Sequence, residues 1–221
     1  MRRLKLVLTI IIPILTTTFS GNSQELKSIR IDQFGNLLEC EIEILTASVI
    51  ITVIVDGSGN IKGVSCQSHE NVIKYDYYDE LAELEYQSKP SKIGDMEVKY
   101  YSRLEIGGKQ GKMSHIGKLL FDYYVADIDK AGKLNLIGDM RFDYYTRYTD
   151  NLLNGKLSRI GNYRIEYFSD YNDREKIGKL RKISNYELDY YTVFNNRKKT
   201  GRIRELKSGT DKFKLMVLSS P

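Results

Sequence analysis

Between positions 93 and 206, apolar and polar residues follow a frame that returns about every 23 residues, the mark of a repeat architecture: Gly-Lys-Leu-x-x-Ile-Gly-x-Φ-x-Φ-x-Tyr-Tyr, with Φ apolar or aromatic. Its anchors are Ile93, Ile116, Ile137, Ile160 and Ile183, evenly spaced except for a slightly shorter interval between Ile116 and Ile137. The aromatic pairs are Tyr100–Tyr101, Tyr123–Tyr124, Tyr144–Tyr145, Tyr167–Phe168 and Tyr190–Tyr191, with a degenerate copy ending at Tyr77–Tyr78. Each copy reads as a β-hairpin. A Gly-first two-residue loop after the isoleucine suits a type II′ turn, and the following residues alternate with period two, as in Tyr163-Arg-Ile-Glu-Tyr167.

Extending that hairpin register pairs Ile160 with Tyr163 and brings Gly155 opposite Phe168, Gly111 opposite Tyr124, Gly132 opposite Tyr145 and Gly178 opposite Tyr191. It assigns the isoleucines and first aromatics to a buried face. Leu157 and the second aromatics (Tyr101, Tyr124, Tyr145, Phe168, Tyr191) fall on the other face, where an open sheet would expose a stacking stripe. The predicted fold is all-β, a twisted or rolled antiparallel meander; Gly spacing and β-branched and aromatic content oppose helix.

Outside the repeats, Ile29–Asp32, Leu38–Leu45, Val49–Val55 and the final Phe213–Leu218 read as capping strands of the same domain. Gly35-Asn36-Leu37 and Gly59-Asn60-Ile61 look like diverged copies. The division expected is residues 1–20 as a signal peptide and 21–221 as one β-repeat domain. Within it, 21–69 are an N-terminal cap with diverged copies, 70–206 the hairpin repeats, and 207–221 a closing strand. Met1–Lys5 is basic, Leu6–Leu15 apolar and Thr16–Ser20 small and polar, the order of a secretory signal with cleavage after Ser20 or Ser23. The apolar part is half of what spans a bilayer. The expected location is therefore secreted or periplasmic, without a membrane span after signal removal.

From Gly111 to about Leu206 the chain resembles the Tyr-rich hairpin repeats of secreted bacterial proteins with no assigned activity. More distantly, Tyr-Tyr followed by Gly-Lys-Leu is similar to the YD repeats of Rhs-type proteins. Tyr191 is followed by Thr192 and Tyr101 by Ser102, and the gap before Gly is longer than in those repeats. The resemblance covers about half the chain and implies architecture only.

Composition narrows the chemistry. The 34 Lys+Arg and 29 Asp+Glu give +5, which falls to +2 without Arg2, Arg3 and Lys5, so nucleic acid is not an expected partner. Basic residues concentrate late, and Arg197, Lys198, Lys199, Arg202 and Arg204 form a candidate patch for an anionic envelope polymer or an acidic surface such as one with Asp76, Asp79, Glu80 and Glu83. His69 and His115 are isolated, and no nucleophile elbow, His-Glu-x-x-His or phosphate loop occurs. Asp122, Asp143, Glu166 and Asp189 share one repeat position and read as a solvated row. Asp127, Asp129 and the Asp170–Asp173 cluster read as polar turns. Cys40 and Cys66 are a candidate disulfide in an exported chain. No catalytic residue, metal site or cofactor is predicted. The expectation is a noncatalytic binding or structural module of the cell envelope, partnered by a polysaccharide or another envelope protein. A carbohydrate-binding protein using the second aromatic row is the alternative, and an enzyme of unknown class comes third.

Overall fold

The structure, a computed structural model, describes residues 23–46, 49–68, 72–169 and 173–219. The expected signal peptide, His69 and Asp170–Asn172 lie outside the described residues. Four strands open the chain: β1 (Ser23–Asp32), β2 (Leu37–Leu45), β3 (Val49–Asp56) and β4 (Ile61–Ser68). Twelve follow in meander order: β5 (Tyr75–Tyr77), β6 (Pro90–Ile93), β7 (Met96–Tyr100), β8 (Met113–Ile116), β9 (Leu119–Tyr123) and β10 (Leu134–Ile137). The series continues with β11 (Met140–Tyr144), β12 (Leu157–Ile160), β13 (Tyr163–Tyr167), β14 (Leu180–Ile183), β15 (Tyr186–Tyr190) and β16 (Ile203–Lys207). Last comes β17 (Lys214–Leu218), which pairs in parallel with β1.

The repeats form a 12-stranded antiparallel sheet that runs from β5 to β16 without closing into a barrel. The other five strands form a separate sheet, ordered β17-β1-β2-β3-β4. Its Gly35 and Gly59 segments are therefore β-turns of this second sheet and not diverged copies within the meander. In each turn an Asp side chain (Asp32, Asp56) accepts two backbone N–H bonds, from Phe34 and Asn36 or from Ser58 and Asn60.

The five-stranded sheet buries one face (Ile29, Ile31, Cys40, Ile42, Ile44, Ile51, Val53, Val55) in one core with Ile116, Phe121, Ile137, Phe142, Ile160, Ile165, Ile183 and Leu188 of the repeats. Its turns also dock on the repeats through backbone bonds. Gln33 O accepts from Ile203 N, Gly35 O from Leu180 N, Gly57 O from Leu157 N and Gly59 O from Leu134 N, at 2.9 to 3.4 Å. Its outer face is polar, with Lys27 bonded to Glu43 and Arg30 to Glu39 and Glu41.

The tight reversals are as expected. Ile160 pairs with Tyr163, and Gly94, Gly117, Gly138 and Gly161 have φ of 54° to 58°; Ser184 takes the place at 50°. The second loop residue is never in the left-handed region, as type II′ requires.

Beyond the turn the hairpin register does not persist. Only two residue pairs join β12 to β13, and the second aromatic pairs forward across the long loop instead. Gly178 N donates to Phe168 O, and the same bond joins Gly111 to Tyr101, Gly132 to Tyr124, Gly155 to Tyr145 and Gly201 to Tyr191. Phe168 thus faces Gly178 and not Gly155, and the corresponding glycines of the other copies are displaced alike. A β-bulge accompanies this. Glu166 pairs with Lys182 but Tyr167 with Leu180, skipping Arg181, and five other joints skip one residue in the same way. The extra residue breaks the two-residue period. As a result Leu157 and Ile160, three apart, are both fully buried rather than on opposite faces.

The cysteines cannot bond. Cys40 lies opposite Val55 and Cys66 opposite Ile51, on either side of β3. Four residues along a strand is ~13 Å and two strand spacings ~9.5 Å, beyond the ~7 Å Cα limit for a disulfide. Both are free thiols, and burial pushes the Cys66 thiol up to about 11.

Candidate functional site

The forward register builds a ladder along the edge of the repeat sheet that carries the long loops. The second ring of each repeat meets the first ring of the next edge-on. Tyr78–Tyr100, Tyr101–Tyr123, Tyr124–Tyr144, Tyr145–Tyr167 and Phe168–Tyr190 have centroids 5.9 to 6.1 Å apart. Four of the second tyrosines donate the hydroxyl to a strand carbonyl of the next repeat: Tyr78 to Val98, Tyr101 to Phe121, Tyr124 to Phe142 and Tyr145 to Ile165, at 2.9 to 3.1 Å. The candidate stacking residues are therefore engaged inside the sheet. Phe168 is buried and Tyr101, Tyr124, Tyr145 and Tyr191 are half-buried, so they form no open stripe.

Lysines complete the ladder in two rows. Lys89, Lys112, Lys133, Lys156 and Lys179, which precede the first strand of each hairpin, lie 4.9 to 5.4 Å over Tyr100, Tyr123, Tyr144, Tyr167 and Tyr190. Lys89, Lys112, Lys156 and Lys179 donate to the next loop's glycine carbonyl (Gly111, Gly132, Gly178, Gly201). Lys109, Lys130 and Lys176, three positions earlier, cover Tyr101, Tyr124 and Phe168 and bond Asp122, Asp143 and Asp189 at 2.5 to 2.8 Å. The acidic row is thus an ion-paired seam, not a solvated row. Where the lysine is replaced by Leu153, the facing Glu166 turns to Arg164 instead. Burial pushes Asp122 up, but the Lys109 ammonium, the Tyr123 N–H and Asn135 outweigh it and hold the carboxyl below its usual range. Burial also drives the Tyr101 hydroxyl up to about 12. The constant Lys-to-Asp spacing was visible in the sequence, but only forward pairing gives it meaning.

Phe168 is a second ring without a hydroxyl, so the corresponding carbonyl, that of Leu188, lacks this donor. Phe168→Tyr should add one hydrogen bond and raise stability by about 0.5–1.5 kcal/mol in urea unfolding; a decrease would show that the slot is too tight for the oxygen.

The basic candidates are all exposed, and two of them are already engaged. Arg204 is ion-paired with Asp189 and Lys199 lies over Tyr191, while Arg197, Lys198 and Arg202 make no ion pair among the described residues. Asp129 is no open ligand either: it is buried, and its carboxylate accepts from Arg147 N, Nε and Nη2 at 2.7 to 3.0 Å, tying two loops together. Arg147 holds its carboxyl below the ordinary range. Among the described residues no group of three or more His, Cys, Asp and Glu converges on a metal position.

Comparison with family models, curated proteins and solved structures gave no match. Among the described residues no helix is long and apolar enough to cross a membrane.

What the loops present is different in kind. Five of the six long loops lift an apolar side chain into solvent: Leu81 (94% exposed), Leu104 (84%), Ile128 (76%), Tyr148 (88%) and Phe194 (93%). The sequence showed an apolar residue recurring at Leu104, Tyr148, Tyr171 and Phe194, where it read as strand extension; Tyr171 lies outside the described residues. All these loops join strands at the same end of the meander, so the tips lie along one edge. The cavities are elsewhere. One of about 430 Å³ is lined by Gln24, Asp139, Asn162, Tyr163 and Lys212. Another of about 360 Å³ lies between Ile61, Lys89, Tyr100, Lys112 and Tyr123.

Proposed function

We propose that this is an exported, noncatalytic module of the cell envelope, whose rigid repeat sheet presents regularly spaced loop tips to another envelope protein. The observation that carries this reading is the division of labour within each repeat. Tyrosine hydroxyls, lysine ammoniums and the Asp row are spent on joining neighbouring repeats, while the recurrent groups left facing water are the apolar tips at Leu81, Leu104, Ile128, Tyr148 and Phe194. A surface built for catalysis would instead leave unlike polar groups converging in a cleft. Exposed apolar side chains in an ordered row mark an interaction surface. Export is supported by the basic-apolar-small order of residues 1–20; Ser23 is already paired with Leu45 in β1, so cleavage after Ser20 keeps that strand whole. The likeness to YD-type repeats is part of the same reading. The carbohydrate alternative loses its platform, because the second aromatic rings lie against neighbouring rings and lysines.

The test is retention on isolated envelope fractions. Leu104, Tyr148 and Phe194 changed together to Ser should abolish retention with the urea midpoint unchanged, while Tyr145→Phe should leave retention intact. Retention that survives the triple change, or that is competed by purified polysaccharide, overturns the proposal.

A further inference from the structure

The two ends of the repeat sheet are unlike, and each lacks what the other carries. At one end, β16 is the first strand of a hairpin whose second strand is missing: Gly201-Arg-Ile-Arg-Glu-Leu206 stands one repeat after Gly178–Ile183. At the other end, Ile73–Tyr78 is a second strand whose first is missing, one repeat before Met96–Tyr101. We propose that β16 of one copy pairs with β5 of a second copy, so that the ladder runs on from molecule to molecule in an open, head-to-tail assembly.

The repeat frame dictates every contact of the joint. Ile183 pairs with Tyr186, which sets Leu206 against Ile73 of the second copy. Lys182 faces Glu187 in a 3.3 Å ion pair, which sets Glu205 against Lys74 of the second copy with the charges exchanged. Each second ring packs on the next first ring, so Tyr191 meets Tyr77 of the second copy and its hydroxyl reaches the Tyr75 carbonyl. Lys176 bonds Asp189, so Lys199 meets Asp76 of the second copy. Within a single chain the charged groups of this joint and the Tyr191 hydroxyl lack such partners among the described residues. Among the described residues, Tyr191 has Lys199 over its ring but no edge-on ring and no carbonyl acceptor, and neither Lys199 nor Asp76 has an ion-pair partner. Tyr77 is 58% exposed, and Tyr75 and Leu206 each 37%.

Charge agrees with that polarity. The last long loop carries Arg197 and Lys198 and the first carries Asp79, Glu80 and Glu83; in the joint they become neighbours, as the Asp129 and Arg147 loops already are. Among the described residues no strand pairs with the outer side of β5 or β16. After β16 the chain turns back beneath the sheet, where Phe213 packs on Tyr163 and Tyr186. An uncovered edge strand is a template for pairing, and a contact between two different surfaces that does not close makes a filament.

Sedimentation velocity on the purified protein tests this. The average mass should climb with concentration without reaching a plateau, with filaments in negative stain. Two variants reverse the pairs at one end each: K74E/D76K and K199D/E205K, all at exposed positions. Each alone should lose about a hundredfold in elongation affinity, about tenfold per reversed pair. Mixed, they present opposite charges at both kinds of joint and should assemble again. Unchanged circular dichroism and thermal midpoints establish that the variants are folded. A monomer at every concentration, a mass that stops at a dimer, variants that assemble like the parent, or a mixture that stays monomeric would overturn the proposal.

Discussion

Gly35→Ala should lower the unfolding free energy by about 2–5 kcal/mol, one of the two largest effects expected anywhere in the molecule. Two costs combine. Gly35 has φ +78°, where a Cβ meets the following carbonyl at a cost of ~1–2 kcal/mol. The new Cβ would also stand 1.9 Å from Tyr190 Oη and 2.5 Å from its Cζ, an overpacking that typically costs ~1–3 kcal/mol. The ring has nowhere to retreat. It is fully buried, donates to Leu180 O at 2.6 Å, and is held by Phe168 edge-on and Lys179 above. Gly59, at φ +85° and 1.9 Å from Tyr144 Oη, should respond alike, two repeats away. Gly63→Ala is the control, since a Cβ there meets nothing within 4 Å and φ is not left-handed; it should stay within about 0.5 kcal/mol of the parent. Equilibrium urea unfolding reads all three. A Gly35→Ala value as small as the control's would mean that the two sheets do not meet at this turn.

Alkali should unfold the protein well before it disturbs ordinary β-proteins. Burial raises the hydroxyls of Tyr100 and Tyr101 to about 12 and pushes Tyr123, Tyr144, Tyr167 and Tyr190 up as well, while Tyr124 and Tyr145 shift the same way. A folded-state value above the unfolded ~10 means that the unfolded chain releases protons first. Stability from these groups is therefore complete below about pH 10 and is lost as pH rises from there through the folded-state values. At the limit each buried ring removes about 1.4 kcal/mol per pH unit, and half-exposed rings less, because solvent screens them. Lys112, Lys133, Lys156 and Lys179 oppose this: desolvation lowers their values, so the fold gains relative stability as they deprotonate. They are fewer, and each neutralised ammonium gives up its attraction to a ring. Urea unfolding between about pH 8 and 11 should show a plateau followed by a steep fall, with tyrosinate absorbance appearing only as the fold is lost. Tyrosinate appearing at an ordinary midpoint in a protein that stays folded would contradict the burial of the ladder.

The strand content, the Gly-turn hairpins and the burial of the isoleucines and of the first aromatics Tyr123, Tyr144, Tyr167 and Tyr190 were legible in the sequence, because a two-residue loop and a two-residue period are local properties; Tyr100, near the end of the sheet, is only half-buried. The partner of each second aromatic was not. Gly155 precedes Phe168 and Gly178 follows it at comparable separations, and both spacings recur in the other copies, so pattern alone does not choose between them. The bulge decides it, and a bulge is set by how twisted strands meet, which leaves no mark on the Leu-x-x-Ile string. The separate five-stranded sheet was hidden for another reason. Its closure depends on β17 crossing the whole chain to lie parallel to β1, a contact that no local pattern encodes. The cysteines were misread for the same reason, since an expectation of export says nothing about which strand lies between two thiols. Of the candidate site, the residues were found but their use was not: Tyr101, Tyr124 and Tyr145 hold repeats together, and the loop tips face outward.

Forward coupling between repeats can be read directly from nuclear Overhauser contacts at Tyr145. Its ring should show contacts to Tyr167, and its backbone to Gly155 and Lys156, with the Gly155 amide strongly protected from exchange. Contacts from Tyr145 to Gly132 in their place would return the second aromatics to their own hairpins and contradict the ladder.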